Sequence, residues 1–224
     1  MVADGNFDVG FAQDSDADRL AIVDENGAYI GEEYTLALGA RQILSTTIGP
    51  VAANLSSSRM IDDVAAHFGV DVVRTKVGEA NVAAGIIENH CVAGGEGNGG
   101  IIDPRTCYTR DSLSGIALVL EMMARLDRPL SEIVGEFPSY AMAKEKFSCP
   151  RENVAAVLEA VRGADEAATV NELDGVRLDW PERWVHVRAS NTEPAVRVIA
   201  EAPSEDQARE LAARFMKLSQ HAAG

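Results

Sequence analysis

Three short segments of the sequence concentrate residue types that can do chemistry. The first is residues 14–19, DSDADR, in which Asp14, Asp16 and Asp18 stand at alternate positions. Three carboxylates in this spacing converge on one cation if the backbone curls around it, and both Mg²⁺ and Ca²⁺ take oxygen ligands. The segment therefore predicts a divalent metal site, with a solvated acidic turn as the alternative.

A calcium loop of the EF-hand type is a second alternative for this segment. Asp14, Asp16 and Asp18 match its first ligand positions, and Glu25 falls at the twelfth. However, the sixth position holds Arg19 instead of the glycine that the sharp turn needs, and the flanking segments are strand-like instead of helical. The sequence therefore disfavours an EF-hand.

The second segment is the glycine-rich stretch 94–100, GGEGNGG. Glycines allow the backbone to approach a ligand closely or to adopt a positive φ. Between them, Glu96 accepts hydrogen bonds and Asn98 can donate and accept, a pair that suits the vicinal hydroxyls of a sugar. A dinucleotide-binding fingerprint is excluded, because the glycine spacing differs and the segment leads into a predicted strand. A flexible loop without a ligand is the alternative.

The third segment is residues 188–194, RASNTEP, which lies between two apolar stretches that predict strands. Hydroxyls, successive backbone N–H groups and an arginine at a strand end can cradle a phosphate, since the guanidinium fork matches phosphate oxygens. An ordinary hairpin loop is the alternative. The candidate phosphate-binding residues are Arg188, Ser190, Asn191, Thr192 and Arg197.

The elements that must position these segments follow from the hydrophobic pattern. Residues 7–12 and 20–24 predict strands on either side of DSDADR. Strand and helix patterns alternate over 31–126, which predicts an α/β layer with a mainly parallel sheet. Lys76 falls at a strand-to-helix corner of this layer, where such sheets bind ligands, although a lone lysine there more often faces solvent.

The pattern changes after residue 126. Residues 127–140 contain two prolines and a short helical stretch, which predicts a linker. Beyond it, strands grouped between two flanking helices predict an α+β domain.

Composition and charge exclude several classes of protein. The sequence has 20 Lys and Arg against 35 Asp and Glu, a net charge of −15, which argues against a nucleic-acid partner but not against a small phosphate-bearing ligand. No apolar run approaches about 18 residues, so we expect no membrane partner. Cys91, Cys107 and Cys149 form neither a metal spacing nor a disulfide framework. With no signal-peptide pattern at the start, we expect a cytoplasmic protein.

Taken together, these segments resemble the signature loops of the α-D-phosphohexomutases, which include phosphoglucomutase, phosphomannomutase and phosphoglucosamine mutase. DSDADR resembles their magnesium loop, GGEGNGG their sugar-binding loop and RASNTEP the phosphate-binding loop of their last domain. Residues 74–82, RTKVGEANV, resemble a corner of their third domain. The resemblance implies the end of domain two with the metal loop (1–30), an α/β sugar-binding domain (31–130) and a smaller α+β phosphate-binding C-terminal domain (138–224).

The resemblance also implies a reaction and its ligands. In this family a phosphoserine donates its phosphoryl group to a hexose phosphate. The resulting bisphosphate turns around, and its other phosphoryl group returns to the serine. The implied ligands are hexose phosphate and hexose bisphosphate, and the implied cofactor is Mg²⁺. The implied roles are metal ligands at Asp14, Asp16 and Asp18, a phosphoryl contact at Arg19, a general acid/base or phosphate contact at Lys76, sugar contacts at Glu96 and Asn98, and phosphate contacts at Arg188, Ser190, Asn191, Thr192 and Arg197.

Three features depart from the family pattern. The chain contains no loop like TASHNP, which carries the active-site serine, so we expect a C-terminal fragment that is inactive by itself, with a non-catalytic phosphosugar-binding module as the alternative. Ser15 stands where the family usually has glycine, and because serine tolerates a positive φ less well, we expect an altered metal loop. Gly100 stands where many relatives have histidine, so the sugar is not indicated.

The segment 1–30 lacks the rest of its sheet on this interpretation. We expect strands 7–12 and 20–24 to present unpaired edges and apolar side chains, which makes the segment protease-sensitive or prone to pair between chains. The implied partner is a missing N-terminal half or a strand-paired dimer. Mg²⁺ is expected to bind weakly, and the two following domains are expected to fold without this segment.

Overall fold

A computed structural model describes residues 1–224, which divide into two units, Met1–Pro138 and Ser139–Gly224. The first unit alternates strands and helices. Its elements are α1 (Val2–Gly5), β1 (Val9–Gln13), β2 (Leu20–Asp24), α2 (Glu33–Leu44), β3 (Val51–Asn54), α3 (Met60–Phe68), β4 (Val72–Thr75), α4 (Glu79–Glu88), β5 (Ala93–Glu96), β6 (Gly100–Ile102), α5 (Ser112–Leu126) and α6 (Leu130–Val134).

A four-stranded sheet, in the order β4-β3-β5-β6, forms the centre of the first unit. β3 pairs in parallel with both β4 and β5, whereas β6 returns antiparallel to β5. Every residue of β3 and β5 is buried, which explains their apolar or glycine-rich composition, because helices cover both faces of such strands. The predicted α/β layer with a mainly parallel sheet is confirmed. The carboxyl ends of β3, β4 and β5 meet at one edge, where α/β sheets bind ligands.

β1 and β2 form a separate antiparallel pair, in register from Val9 opposite Asp24 to Gln13 opposite Leu20. Leu20 and Ile22 are fully buried in a cluster with side chains of α2, α5 and α6. The expectation of exposed apolar side chains is therefore wrong for β2, because its alternating pattern directs one face into the first unit. β1 pairs with β2 alone.

The segment expected to be a linker is fastened to the first unit by α6. Leu130 and Ile133 lie in the same buried cluster as β2. The carboxylate of Glu25 accepts hydrogen bonds from the backbone N–H of Ser131, at 3.2 Å, and from its hydroxyl. These contacts lower the pKa of Glu25 even though partial burial, the largest single influence, opposes them. The first unit therefore extends through residue 138.

The second unit is an antiparallel sheet with helices on one face, as the α+β prediction required. The strand order is β7-β11-β10-β9-β8, and α7 and α8 pack on the face that carries the valines of β9, β10 and β11. The elements of the second unit are β7 (Ala141–Ser148), a 3₁₀ turn (Arg151–Asn153), α7 (Val154–Arg162), β8 (Thr169–Asn171), β9 (Val176–Trp180), β10 (Arg183–Ala189), β11 (Ala195–Ala202) and α8 (Glu205–Ala223).

No helix of the chain has the length and apolar character needed to cross a membrane.

Candidate functional site

The three alternating carboxylates converge in the loop between β1 and β2. Carboxylate oxygens of Asp14, Asp16 and Asp18 all lie within 4.8 Å of one another. The loop is held in this shape by a turn in which the Ala17 N–H donates to the Asp14 carbonyl at 3.2 Å. The Asp14 carboxylate also accepts from the Arg19 N–H at 3.1 Å. The sequence alone does not specify this convergence, since an extended segment would separate the carboxylates.

The conformational strain in this loop lies at Ala17 and not at Ser15. Ala17 has a φ of 58°, whereas Ser15 is absent from the residues with positive φ. Position 15 therefore does not take the left-handed conformation on which the expectation of an altered metal loop depended. An alanine in that conformation costs about 1–2 kcal/mol relative to glycine.

The donor set suits a hard divalent cation. Asp18 Oδ1 is buried and accepts no hydrogen bond, with Arg19 Nε 3.7 Å away, so it is available as a ligand. Burial is the largest influence on Asp18 and raises its pKa; the Arg110 cation is the next largest influence and opposes the rise, while Asp14 and Asp16 add to it. Burial also raises the pKa of Asp14, but the Arg19 N–H, Asp18 and the Arg19 charge hold it below its usual value. A cation among the three groups would relieve this crowding of negative charge.

Glu96, the last residue of β5, is held by donors from three different segments of the chain. Its side chain is buried, and Oε1 accepts from Asn54 Nδ2 at 2.7 Å and from the Gly78 N–H at 2.9 Å. Oε2 accepts from Arg110 Nη1 at 2.7 Å. Asn98 lies at the tip of the following turn, and its buried Oδ1 has no hydrogen-bond partner within the chain. Asn98 therefore retains an acceptor for a ligand hydroxyl, while Glu96 is fixed in orientation.

Two glycines of this stretch lie close to neighbouring side chains. A Cβ added at Gly97 would lie 1.8 Å from Glu33 Oε2, and one at Gly100 would lie 2.2 Å from Arg110 Cδ. The absence of a side chain at position 100 leaves the space that Arg110 occupies.

Arg110 joins all the candidate segments of the first unit, and sequence reasoning missed it. The guanidinium forms an ion pair with Asp18 of the metal loop, contacts Glu79 Oε2 at 3.1 Å and donates to Glu96. Its backbone N–H also donates to Glu79 at 3.0 Å. The side chain is 12% exposed. The one local signal was its place immediately before Asp111, whose carboxylate caps the N-terminus of α5.

Hydrogen bonds fix the metal loop beside the start of α5 and the glycine loop. The Ser112 hydroxyl donates to the Ala17 carbonyl at 2.6 Å and accepts from Gln13 Nε2 at 2.6 Å. The Leu20 N–H donates to the Gly99 carbonyl at 2.9 Å. The predicted metal ligands and the predicted sugar contacts therefore share one edge of the first unit.

The two basic side chains that the sequence analysis singled out as candidate phosphate contacts, Lys76 and Arg19, lie in the same unit. Lys76 follows β4 directly at the carboxyl edge of the sheet, is exposed and makes no ion pair within the chain. Arg19 has a side chain 50% exposed, with Nε 3.8 Å from Asp14 and 3.7 Å from Asp18. Both side chains are accessible to an anionic ligand.

The predicted phosphate-binding residues lie together in the second unit, around the hairpin loop between β10 and β11. Arg188 is buried at the end of β10, directly opposite Arg197 on β11. The loop closes through the Ser190 N–H, which donates to the Ala195 carbonyl at 2.8 Å. The hydroxyls of Ser190 and Thr192 lie 3.5 Å apart, and Asn191 and Thr192 are exposed.

Comparison with known proteins identifies both units. The model of phosphoglucomutase/phosphomannomutase alpha/beta/alpha domain III matches residues 31–140, and the model of the C-terminal domain of the same family matches residues 143–218. The chain belongs to the phosphoglucomutase/phosphomannomutase family. It corresponds to the C-terminal part of the family's members.

Individual relatives agree with this membership. A probable phosphoglucosamine mutase of Methanopyrus kandleri is 41% identical over 214 residues, covering 94% of this chain and 47% of that protein. A phosphoglucomutase/phosphomannomutase of Thermococcus kodakarensis is 37% identical, covering 96% and 48%. The chain therefore spans about half the length of the curated relatives that it matches.

Solved structures share the fold. The crystal structure of a phosphoglucomutase/phosphomannomutase family protein from Burkholderia thailandensis has a TM-score of 0.82 at 25% identity, covering all of this chain and 49% of that one. N-acetylphosphoglucosamine mutase of Aspergillus fumigatus, solved with GlcNAc-6P and magnesium, has a TM-score of 0.70 at 18% identity, covering 96% of this chain and 49% of that one.

Proposed function

We propose that this chain is the C-terminal part of a magnesium-dependent phosphohexomutase, which interconverts hexose 1-phosphate and hexose 6-phosphate through a bisphosphate. The observation that carries the proposal is the link from Asp18 through Arg110 to Glu96, which joins a carboxylate triad to the glycine-rich loop. Family membership and the mutase names of the relatives support it, as does the magnesium and sugar-phosphate complex of the Aspergillus neighbour.

On this proposal Asp14, Asp16 and Asp18 hold Mg²⁺. The ion supplies positive charge that stabilises the phosphoryl oxygens during transfer. Arg110 keeps one oxygen of Asp18, which leaves the buried Oδ1 for the metal. Arg19 sits beside the carboxylates with a half-exposed guanidinium, suited to contact the phosphoryl group.

The sugar and the non-reacting phosphate are bound by other loops. Asn98 Oδ1 accepts a hydrogen bond from a sugar hydroxyl, and Glu96 offers its remaining lone pairs from a fixed carboxylate. Lys76 acts as a general acid/base or contacts a phosphate. The phosphate that does not react is held by Arg188, Ser190, Asn191, Thr192 and Arg197.

We further propose that these 224 residues alone do not catalyse the reaction. Ser15 lies in the exposed turn of the metal loop between two metal ligands, so it is not presented as a separate nucleophile. The partner that we propose is an N-terminal half carrying the serine loop, or a second copy that pairs along the open edge of β1. A cytoplasmic location is in keeping with three free thiols.

Two measurements test this proposal. A coupled assay with glucose 1-phosphate should show no turnover by the chain alone, whereas Asp16→Ala should remove most of the rate from a longer protein that contains it. Calorimetry should detect binding of glucose 6-phosphate to the chain in the presence of Mg²⁺. Turnover by the chain alone that Asp16→Ala abolishes would contradict the inactivity, and absence of binding would contradict the site assignment.

A non-catalytic phosphosugar-binding module is the second candidate, because the chain carries the proposed sugar-binding and phosphate-binding loops without a nucleophile. This candidate predicts that the chain binds hexose phosphates. It also predicts that a longer protein containing the chain has no mutase activity. Activity in such a protein, lost on Asp16→Ala, would exclude it.

A further inference from the structure

Three basic side chains form a row across the sheet of the second unit. Arg188 on β10 lies directly opposite Arg197 on β11, and Arg197 lies directly opposite Lys146 on β7. Directly opposed residues project from the same face with Cβ atoms about 4.5–5.5 Å apart. The neighbouring residues Val187 and Val196 point into the core under α7 and α8, so the row lies on the other face.

Such a row is unfavourable unless an anion compensates it. Like charges directly opposite one another destabilise a sheet, and burial of Arg188 reduces screening by solvent. Within the chain, Lys146 and Arg197 share the carboxylate of Glu193. Lys146 Nζ lies 3.1 Å from both of its oxygens, and Arg197 Nη2 lies 3.4 Å from Oε1.

Glu193 is the counter-ion of Lys146 and Arg197. The hydrogen bond from Lys146 is the main reason that the pKa of Glu193 is lowered, and the charges of Lys146 and Arg197 assist it against partial burial. Glu193 belongs to the loop 190–194 that we propose as the phosphate cradle, and its side chain is 35% exposed. Its carboxylate therefore occupies the side of the cradle where a bound phosphate would also need cations.

We propose that Lys146 is a further phosphate contact of this site, and that Glu193 takes the place of the phosphate on Lys146 while the cradle is free. The inference deepens the proposed function and rests on it. The ligand is the dianion of a phosphate monoester. When it binds, Lys146 exchanges the Glu193 carboxylate for a phosphoryl oxygen, which its flexible, 62% exposed side chain permits. Glu193 thus lowers the affinity by competing for the same cations.

No motif contains Lys146, since it lies 47 positions before Glu193 and joins the row through strand pairing alone. Its neighbour Lys144 supplies a matched control. Lys144 lies on the same strand and the same face, but it stands opposite Ile199 instead of an arginine. Replacing either lysine with methionine removes one positive charge from this face.

The test is calorimetric titration of the full chain and its variants with glucose 6-phosphate and, separately, with inorganic phosphate. Lys146→Met should weaken glucose 6-phosphate binding about tenfold, as expected for loss of a charge-assisted contact, while Lys144→Met should change it less than about twofold. Lys146→Arg should restore most of the affinity. Glu193→Gln should tighten binding about threefold, with a gain that shrinks in high salt. Thermal melting checks that each variant is folded. If Lys146→Met is unstable, Lys146→Gln is used in its place.

The outcomes separate the two proposals. If Arg188→Ala weakens binding but Lys146→Met behaves like Lys144→Met, the role of Lys146 is wrong and the proposed phosphate cradle stands. If Glu193→Gln weakens binding, Glu193 positions the cations instead of competing for them, which overturns the exchange. If the unmodified chain binds neither ligand, both the proposed function and this inference fail.

Discussion

Replacing Arg110 with methionine should break the connection between the metal loop and the glycine loop. Methionine retains most of the aliphatic volume but removes the guanidinium that contacts Asp18, Glu79 and Glu96. Glu96, with a side chain 5% exposed, then remains a buried charge without its cation. Loss of one partner of a buried pair costs about 3–5 kcal/mol, while the more exposed Glu79 adds about 1 kcal/mol or less.

Hydrogen exchange measured by peptide is the suitable assay, because it reports each unit separately. Arg110→Met should increase exchange in peptides that cover 93–102 and 14–24, and should leave 183–202 in the second unit unchanged. Urea unfolding followed by circular dichroism should show the loss in free energy. Tryptophan fluorescence serves as a control, since Trp180 and Trp184 both lie in the second unit.

Two further variants test the role of Arg110. Arg110→Lys keeps the charge but not the fork that reaches three carboxylates, so it should recover only part of the stability. Adding Glu96→Gln to Arg110→Met removes the uncompensated charge and should restore roughly 1–3 kcal/mol. A loss below about 1 kcal/mol in Arg110→Met, with normal exchange in 93–102, would show that Arg110 does not hold the loops together.

Three other outcomes are expected. Burial lowers the pKa of His186 to about 4, against a hydrogen bond to a backbone carbonyl that raises it. As the pH falls, the unfolded chain therefore binds a proton at His186 before the folded chain does. The free energy of unfolding should be highest above about pH 6.5 and fall by about 3 kcal/mol towards pH 4. Urea unfolding of His186→Gln should not show this fall. Gly100→Ala should cost about 1–3 kcal/mol by overpacking, whereas Gly163→Ala, whose nearest neighbour is 3.8 Å away, should be nearly neutral in thermal melting. Mg²⁺ should raise the melting temperature of the unmodified chain but not of Asp16→Ala, and an equal rise in both would place the ion elsewhere.

Sequence alone was sufficient for the features that depend on neighbouring residues. The alternating carboxylates, the glycine run and the segment 188–194 are local patterns. The carboxylates fall in the predicted turn, whereas the glycine run spans the end of β5, a turn at 97–99 and the first residue of β6, and the segment 188–194 begins in β10. The α/β and α+β classes follow from hydrophobic periodicity and the order of strands and helices, which also need no long-range contact.

Tertiary structure decided the features that depend on distant residues. Arg110 has no motif of its own, because its partners lie in the metal loop, at the start of α4 and at the end of β5, which only the packed sheet brings together. Lys146 meets Arg197 through antiparallel register, and a shift of one residue would place it on the opposite face. Position 17, and not 15, takes the positive φ because the hydrogen bonds of the turn impose it, and β2 is buried because α2, α5 and α6 cover it. Local pattern specified which residues could bind a ligand, whereas strand register and helix packing specified which of them stand together.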